Sequence, residues 1–253
     1  SHISFHTFPE KGIISFDFFT CGKISPSVAL DIVKKEFQNG HKLPTIKELK
    51  IYTQNLDQMI AFYGDLMGLD LVKRSTDSAA FLIGKSILKL VEREQFTPYH
   101  FAFEIPCNQE VEALEWLKDR VDILKDGGEE IQDFDFWNAR AIYFYDSDKN
   151  IVEFIARKNL NNERQGDFNT KSILGICEIG MPVQDIQQTF STLTEISNLR
   201  QFSGGMDSFC AIGDEHGLFI CINRNTRDWF PTGDKAHASD FEIVFDNRRD
   251  KLN

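Results

Sequence analysis

Residues 46–92 read IKELKIYTQNLDQMIAFYGDLMGLDLVKRSTDSAAFLIGKSILKLVE. The order is a short strand (LKIYT), a helix (NLDQMIAFYGDLMG) and three strand-like runs around DLVKR, AAFLIG and SILKLVE. The same order then returns. Residues 100–105 form a strand, residues 108–120 an amphipathic helix with Val111, Leu114 and Leu117 in register, and strands follow near 121–124, 141–145 and 151–155. A βαβββ unit therefore occurs twice. A third copy starts near Ile176: Ile51 aligns with Met181, Phe81 with Cys210 and Ser86 with Gly217, so the offset stays within 129–131. DFEIVF at Asp240 resembles the opening strand of a fourth unit that the chain does not complete before Asn253.

Upstream of the repeats the character changes. Residues 1–38 run as two apolar, aromatic-rich stretches and then a helical pattern with Val28, Ile32, Val33 and Phe37 on one face, which reads strand, strand, helix. Residues 39–45, NGHKLPT, have Gly, Pro and polar residues without periodicity and are read as a linker. The expected organisation is a segment 1–38, a linker 39–45, paired units over 46–158, and a third unit with an incomplete fourth over 172–253.

Composition narrows the function. The chain has 253 residues, 42% hydrophobic and 26% charged, within the range of globular proteins. Its 28 Lys and Arg against 39 Asp and Glu leave a formal net charge of −11, which argues against nucleic acid as a partner. No apolar run approaches the length of a membrane span and no signal pattern opens the chain, so the expected location is cytoplasmic. Five widely spaced cysteines without a CxxC indicate reduced thiols.

Paired βαβββ units, with FYGDLMGLDLV after the first strand of one unit and YDSDKNIVEFI at the end of the next, resemble the vicinal oxygen chelate superfamily over about residues 46–250. That family includes glyoxalase I, bleomycin-resistance proteins and extradiol dioxygenases. The resemblance implies an α+β fold of repeated βαβββ units and a cup, made by two units, with metal ligands on the first and last strands. The matching positions are Glu48, Lys89, His100 and Glu153. Lys89 departs from the pattern, because a cation stands where glyoxalase-like members place a carboxylate. A three-ligand set of Glu48, His100 and Glu153 remains, suited to a divalent ion such as Fe, Mn, Ni or Zn with open positions for a small-molecule substrate. Against this stands the ordinary role of such residues, a hydrogen-bonded strand histidine and solvated edge carboxylates. In the second pair the matching positions, Glu178, Ile220 and Asp240, lack a histidine and are expected to carry no metal. There Trp229 and Phe230 suit either an organic ligand or aromatic packing.

The segment SHISFHTFPEKG followed by ISFDFFTCG closely resembles the α chain of the short prokaryotic S-adenosylmethionine decarboxylase, a ββα segment beginning where that proenzyme cuts itself. In that family an internal serine becomes a pyruvoyl cofactor, whose ketone forms a Schiff base with substrate and acts as the electron sink for decarboxylation. By this resemblance Ser1 is the pyruvoyl precursor, His6 supports self-processing, Cys21 donates the proton in catalysis and Glu10 orients substrate. A decarboxylase β chain is then the implied partner, since about 40 residues cannot bury a stable core alone.

Three functions follow as expectations. One is a pyruvoyl-dependent lyase making decarboxylated S-adenosylmethionine for polyamine and spermidine synthesis, fused to a glyoxalase- or dioxygenase-like domain. Another is a metal-dependent dioxygenase or glyoxalase-type isomerase or lyase with a vestigial N-terminal segment. The remaining one is a non-catalytic binding module of the bleomycin-resistance kind. Unpaired strand edges of the fourth unit point to a homodimer.

Overall fold

The computed structural model describes residues 2–8, 13–19, 45–197 and 199–246. A hairpin of β1 (His2–Phe8) and β2 (Ile13–Phe19) opens the chain. The first unit is β3 (Thr45–Thr53), α1 (Leu56–Ile60, continued by a wider π-helical turn over Ala61–Leu66), β4 (Asp70–Arg74), β5 (Ser78–Ile83) and β6 (Ser86–Glu92). The second unit is β7 (His100–Ile105), α2 (Glu110–Lys118), β8 (Ile123–Leu124), the short β9 (Gln132–Phe134), β10 (Ala139–Tyr145) and β11 (Ile151–Arg157). The third is β12 (Gly175–Val183), α3 (Ile186–Ser197), β13 (Gln201–Gly204), β14 (Phe209–Asp214) and β15 (Gly217–Asn223), followed by β16 (Phe241–Asp246). The two strands expected near the N-terminus are present. The helix expected after them and most of the linker lie outside the described residues.

Two sheets result, with strand orders β1-β2-β16-β3-β6-β5-β4 and β13-β14-β15-β12-β7-β11-β10-β8, β9 attaching to β10. Within each unit the first and last strands pair in parallel, β3 with β6, β7 with β11 and β12 with β15. Units then join through antiparallel first strands, β7 with β12 in one sheet and β3 with β16 in the other. The second unit therefore shares a sheet with the third, not with the first. The expected pairing within 46–158 assumed that neighbours in sequence share a sheet; instead the first unit pairs with the opening strand of the fourth. β2 covers the far edge of β16 over six register pairs, from Phe241 and Phe18 to Asp246 and Ile13.

Strand alternation sorts residues between two apolar regions. Phe101, Phe103 and Ile105 of β7, with Val152, Phe154 and Ala156 of β11, enter the main core, joined by Leu49, Ile51, Leu88 and Leu90 of the first unit. The other faces of β10, β11, β12 and β15 line the concave side of the larger sheet, with Ala141, Ile155, Cys177 and Leu218 in its floor. Among the described residues no helix is long and apolar enough to cross a membrane.

The turn YDSDKN fixes where β7 and β11 begin. One Asp146 carboxylate oxygen accepts from the backbone N–H groups of Asp148 and Asn150 at 3.0 Å, closing the turn. The other accepts from the Tyr63 hydroxyl at 2.7 Å and from Asn150 Nδ2 at 2.8 Å. Asn150 Oδ1 in turn accepts from the Tyr99 N–H at 2.8 Å. This network joins the first unit to the second and sets His100 in register with Ile151. Burial raises the Asp146 carboxyl to about 6, against the opposing pull of the Asn150 and Tyr63 hydrogen bonds.

Candidate metal centre

His100 and Glu153 come from parallel neighbours β7 and β11, and Glu178 reaches the same place from β12 on the other side of β7. Both glutamates stand opposite Ala102, one in each register, so a methyl group alone lies between them in the sheet. A bulge at Ile176/Glu178 sets Glu178 in that register. One ligand atom from each of His100, Glu153 and Glu178 lies within 4.8 Å of the others, and all three residues are buried.

The histidine is held in the form a metal requires. Its Nδ1 is 3.1 Å from the Ile151 carbonyl, which can only accept, so Nδ1 carries the proton and the Nε2 lone pair faces the carboxylates. Nε2 lies 3.5 Å from Glu153 Oε2. Burial lowers the His100 pKa to about 4, leaving a neutral imidazole at ordinary pH. Glu153 is pushed the other way, by burial first and then by the Glu178 charge, despite the attraction of Arg157 and a hydrogen bond from Tyr143. Tyr143 itself is held neutral by burial and by Glu153, so its hydroxyl serves as a donor.

Glu178 has a fixed counter-ion. The Arg157 guanidinium, wholly buried, pairs with it, and Arg157 Nη1 contacts Cys177 Sγ at 3.3 Å. Burial works to lower the Arg157 pKa, but Cys177, Glu178 and Glu153 more than offset it and raise it. Glu178 is paired with the resident Arg157, the imidazole is neutral and Glu153 is held toward its protonated form, so a divalent ion would balance the cluster by taking the place of the Glu153 proton. The residues fit such an ion.

Above the cluster lies a cavity of about 520 Å³, within the range of small-molecule sites. Its walls are largely aromatic, with Phe134, Trp137, Phe209, Trp229 and Phe230 among them. Trp229 packs on His100 with ring centroids 4.9 Å apart. Gly180 of β12 permits this, since a Cβ there would meet Trp229 Cη2 at 2.6 Å.

Of the residues expected to bind metal, His100 and Glu153 meet and Glu48 does not join them. Glu48 lies on β3 in the other sheet, half-buried, in register with Ile87 and Val244. Lys89 is also in that sheet, paired with Lys50 and Ala80. Glu178, expected to carry no metal because the second pair of units offers no histidine, takes the third place because the histidine comes from the second unit, which shares its sheet. The 130-residue offset that relates Glu48 to Glu178 was visible in the repeat, but not which units share a cup. Ile220 lines the cavity at the fourth position, and Asp240 instead pairs with Arg93 at 3.0 Å. Ser1, Glu10 and Cys21 lie outside the described residues, and His6 is described only as a β1 position in register with Ser15.

Paired βαβββ units with a buried imidazole–carboxylate cluster in the cup define a protein of the glyoxalase class. The chain belongs to the Glyoxalase/Bleomycin resistance protein/Dioxygenase superfamily, whose model matches residues 45–154. A metallothiol transferase FosB of Staphylococcus haemolyticus is 30% identical over 116 residues, covering 43% of this chain and 80% of that protein. The structure of a candidate dioxygenase from Bacillus subtilis matches with a TM-score of 0.54 at 15% identity, over 73% of this chain and 65% of the other, a likeness of fold. Residues 1–47 match the S-adenosylmethionine decarboxylase model. The Pyrococcus furiosus decarboxylase proenzyme is 45% identical over 51 residues, which are 20% of this chain. The chain spans about a third (35%) of that proenzyme's length. Both resemblances drawn from the sequence therefore hold, one over a full family module and one over a fragment.

Proposed function

We propose that the chain is a metal-dependent enzyme whose centre is His100, Glu153 and Glu178 and whose small-molecule substrate enters the aromatic cup. The observation that carries this is the convergence of one imidazole and two carboxylates, all buried, on one point, with the imidazole tautomer set by the Ile151 carbonyl. A divalent ion held there would act as a Lewis acid toward an oxygen-bearing substrate. The protein's own groups supply the rest: Tyr143 orients Glu153, Arg157 orients Glu178, and the aromatic walls exclude water. The name of the FosB relative, a metallothiol transferase, supports metal dependence without specifying this chain's reaction.

The test is calorimetric titration of the metal-depleted chain with Mn(II), Fe(II), Ni(II) and Zn(II). At least one ion should bind at one site, and His100→Ala, Glu153→Gln and Glu178→Gln should each weaken it at least tenfold, while Glu48→Gln leaves it unchanged. Equal binding by the Glu178→Gln variant, or loss in Glu48→Gln, would overturn the assignment.

A second activity, pyruvoyl-dependent decarboxylation of S-adenosylmethionine, is supported by the match over residues 1–47. It requires a pyruvoyl group derived from Ser1, and a decarboxylase β chain as partner. Intact mass of the protein expressed from its complete gene tests the first requirement, and loss of CO2 release in Cys21→Ala tests the catalytic role. An unmodified serine at position 1 would leave the hairpin a structural role, as the cover for the edge of β16.

A further inference from the structure

Two tryptophans and one arginine stand out in the lining of the aromatic cup. Trp137 and Trp229 are both more than nine-tenths buried, and neither indole N–H has a partner among the described residues. Both indole nitrogens are sealed from solvent, so the two tryptophans serve the cavity as aromatic wall. The arginine is Arg227, exposed among the cavity-lining residues with its guanidinium 4.9 Å above the Phe209 ring. It makes no ion pair among the described residues, whereas the neighbouring Asp228 is bound to Lys235 at 3.1 Å.

From this set we propose that the cup binds an aromatic carboxylate, its ring between the aromatic walls and its carboxylate on Arg227. A planar ring suits walls built from Phe134, Phe209 and Phe230, which would waste their area on a small polar ligand. The carboxylate suits the planar fork of the Arg227 guanidinium, an exposed cation of the lining without an ion pair among the described residues. The inference deepens the enzymatic assignment by naming the class of ligand for the same cup, but it does not need the metal.

The probe is naphthoate, compared with the neutral naphthamide and with non-aromatic cyclohexanecarboxylate, on the full chain in EDTA. Binding is read by calorimetry and by tryptophan fluorescence, for which Trp116, packed on Phe154 away from the cup, is an internal control. Naphthoate should bind at least about tenfold more tightly than either comparator. Arg227→Gln, a change at an exposed position, should abolish the preference over naphthamide. Trp137→Phe should weaken naphthoate binding, and Trp116→Phe should not. Equal affinity for naphthoate and naphthamide, no binding of naphthoate, or a preference that survives Arg227→Gln would overturn the proposal. Because EDTA is present throughout, failure of the metal assignment would leave these results unchanged, and failure here would leave metal binding intact.

Discussion

Trp229 rests on His100, ring centroids 4.9 Å apart, because residue 180 on the adjacent strand has no side chain. Gly180→Ala would set a methyl 2.6 Å from Cη2 and 3.1 Å from the His100 Cβ. Overpacking of this kind costs about 1–3 kcal/mol. The variant should be destabilised by that amount in urea denaturation and should show altered tryptophan emission. Gly205→Ala, with nothing among the described residues within 4 Å of the added methyl, is the control; an equal effect there would detach the loss from the Trp229 contact.

Arg157 holds the charge balance of the cup. Arg157→Met would leave Glu178 buried beside Glu153 without a counter-ion, an arrangement that costs about 3–5 kcal/mol. Adding Glu178→Gln should restore much of the loss, because the uncompensated charge goes with it. Chemical denaturation of the single and double variants measures this; a single variant as stable as the parent chain would contradict it.

Acid should act through His100. Its folded pKa of about 4 lies below the unfolded value of about 6.5, so the unfolded chain binds more protons between the two. The contribution is complete above pH 6.5 and is lost as pH falls to 4, a change of about 3 kcal/mol. Glu153, whose pKa is raised by burial, opposes it, since its cost shrinks as acid protonates it. Comparing the parent with His100→Gln isolates the histidine: the stability difference between them should shift against the parent across that window. A difference constant from pH 7 to pH 4 would rule it out.

Metal binding should release protons. Burial and the Glu178 charge favour the protonated form of Glu153, and a ligating carboxylate must be ionised. Calorimetric titrations near neutral pH in buffers of different ionisation enthalpy should show release of about one proton per ion. Glu153→Gln should abolish the release, and an observed enthalpy independent of buffer in the parent chain would show that Glu153 is already ionised.

The βαβββ unit was legible because strand and helix periods are local, and its repetition at constant offset made the fold class plain. His100 and Glu153 were legible through the family's ligand positions, on the first and last strands of one unit, and the turn YDSDKN brings those strands into register through its bonds to Tyr63 and Tyr99. Local patterning was enough for the repeat, the strand faces and two of the three cluster residues. Which units share a sheet is settled by long-range packing, because the backbone edge of every first strand offers the same hydrogen-bonding groups and each can pair with any other. Pairing β7 with β12 brought in Glu178 with its Arg157 counter-ion, and sent Glu48 into the other sheet with β16 and the N-terminal hairpin beyond it. The cup is a property of that pairing, and its third carboxylate depends on contacts that no local pattern records.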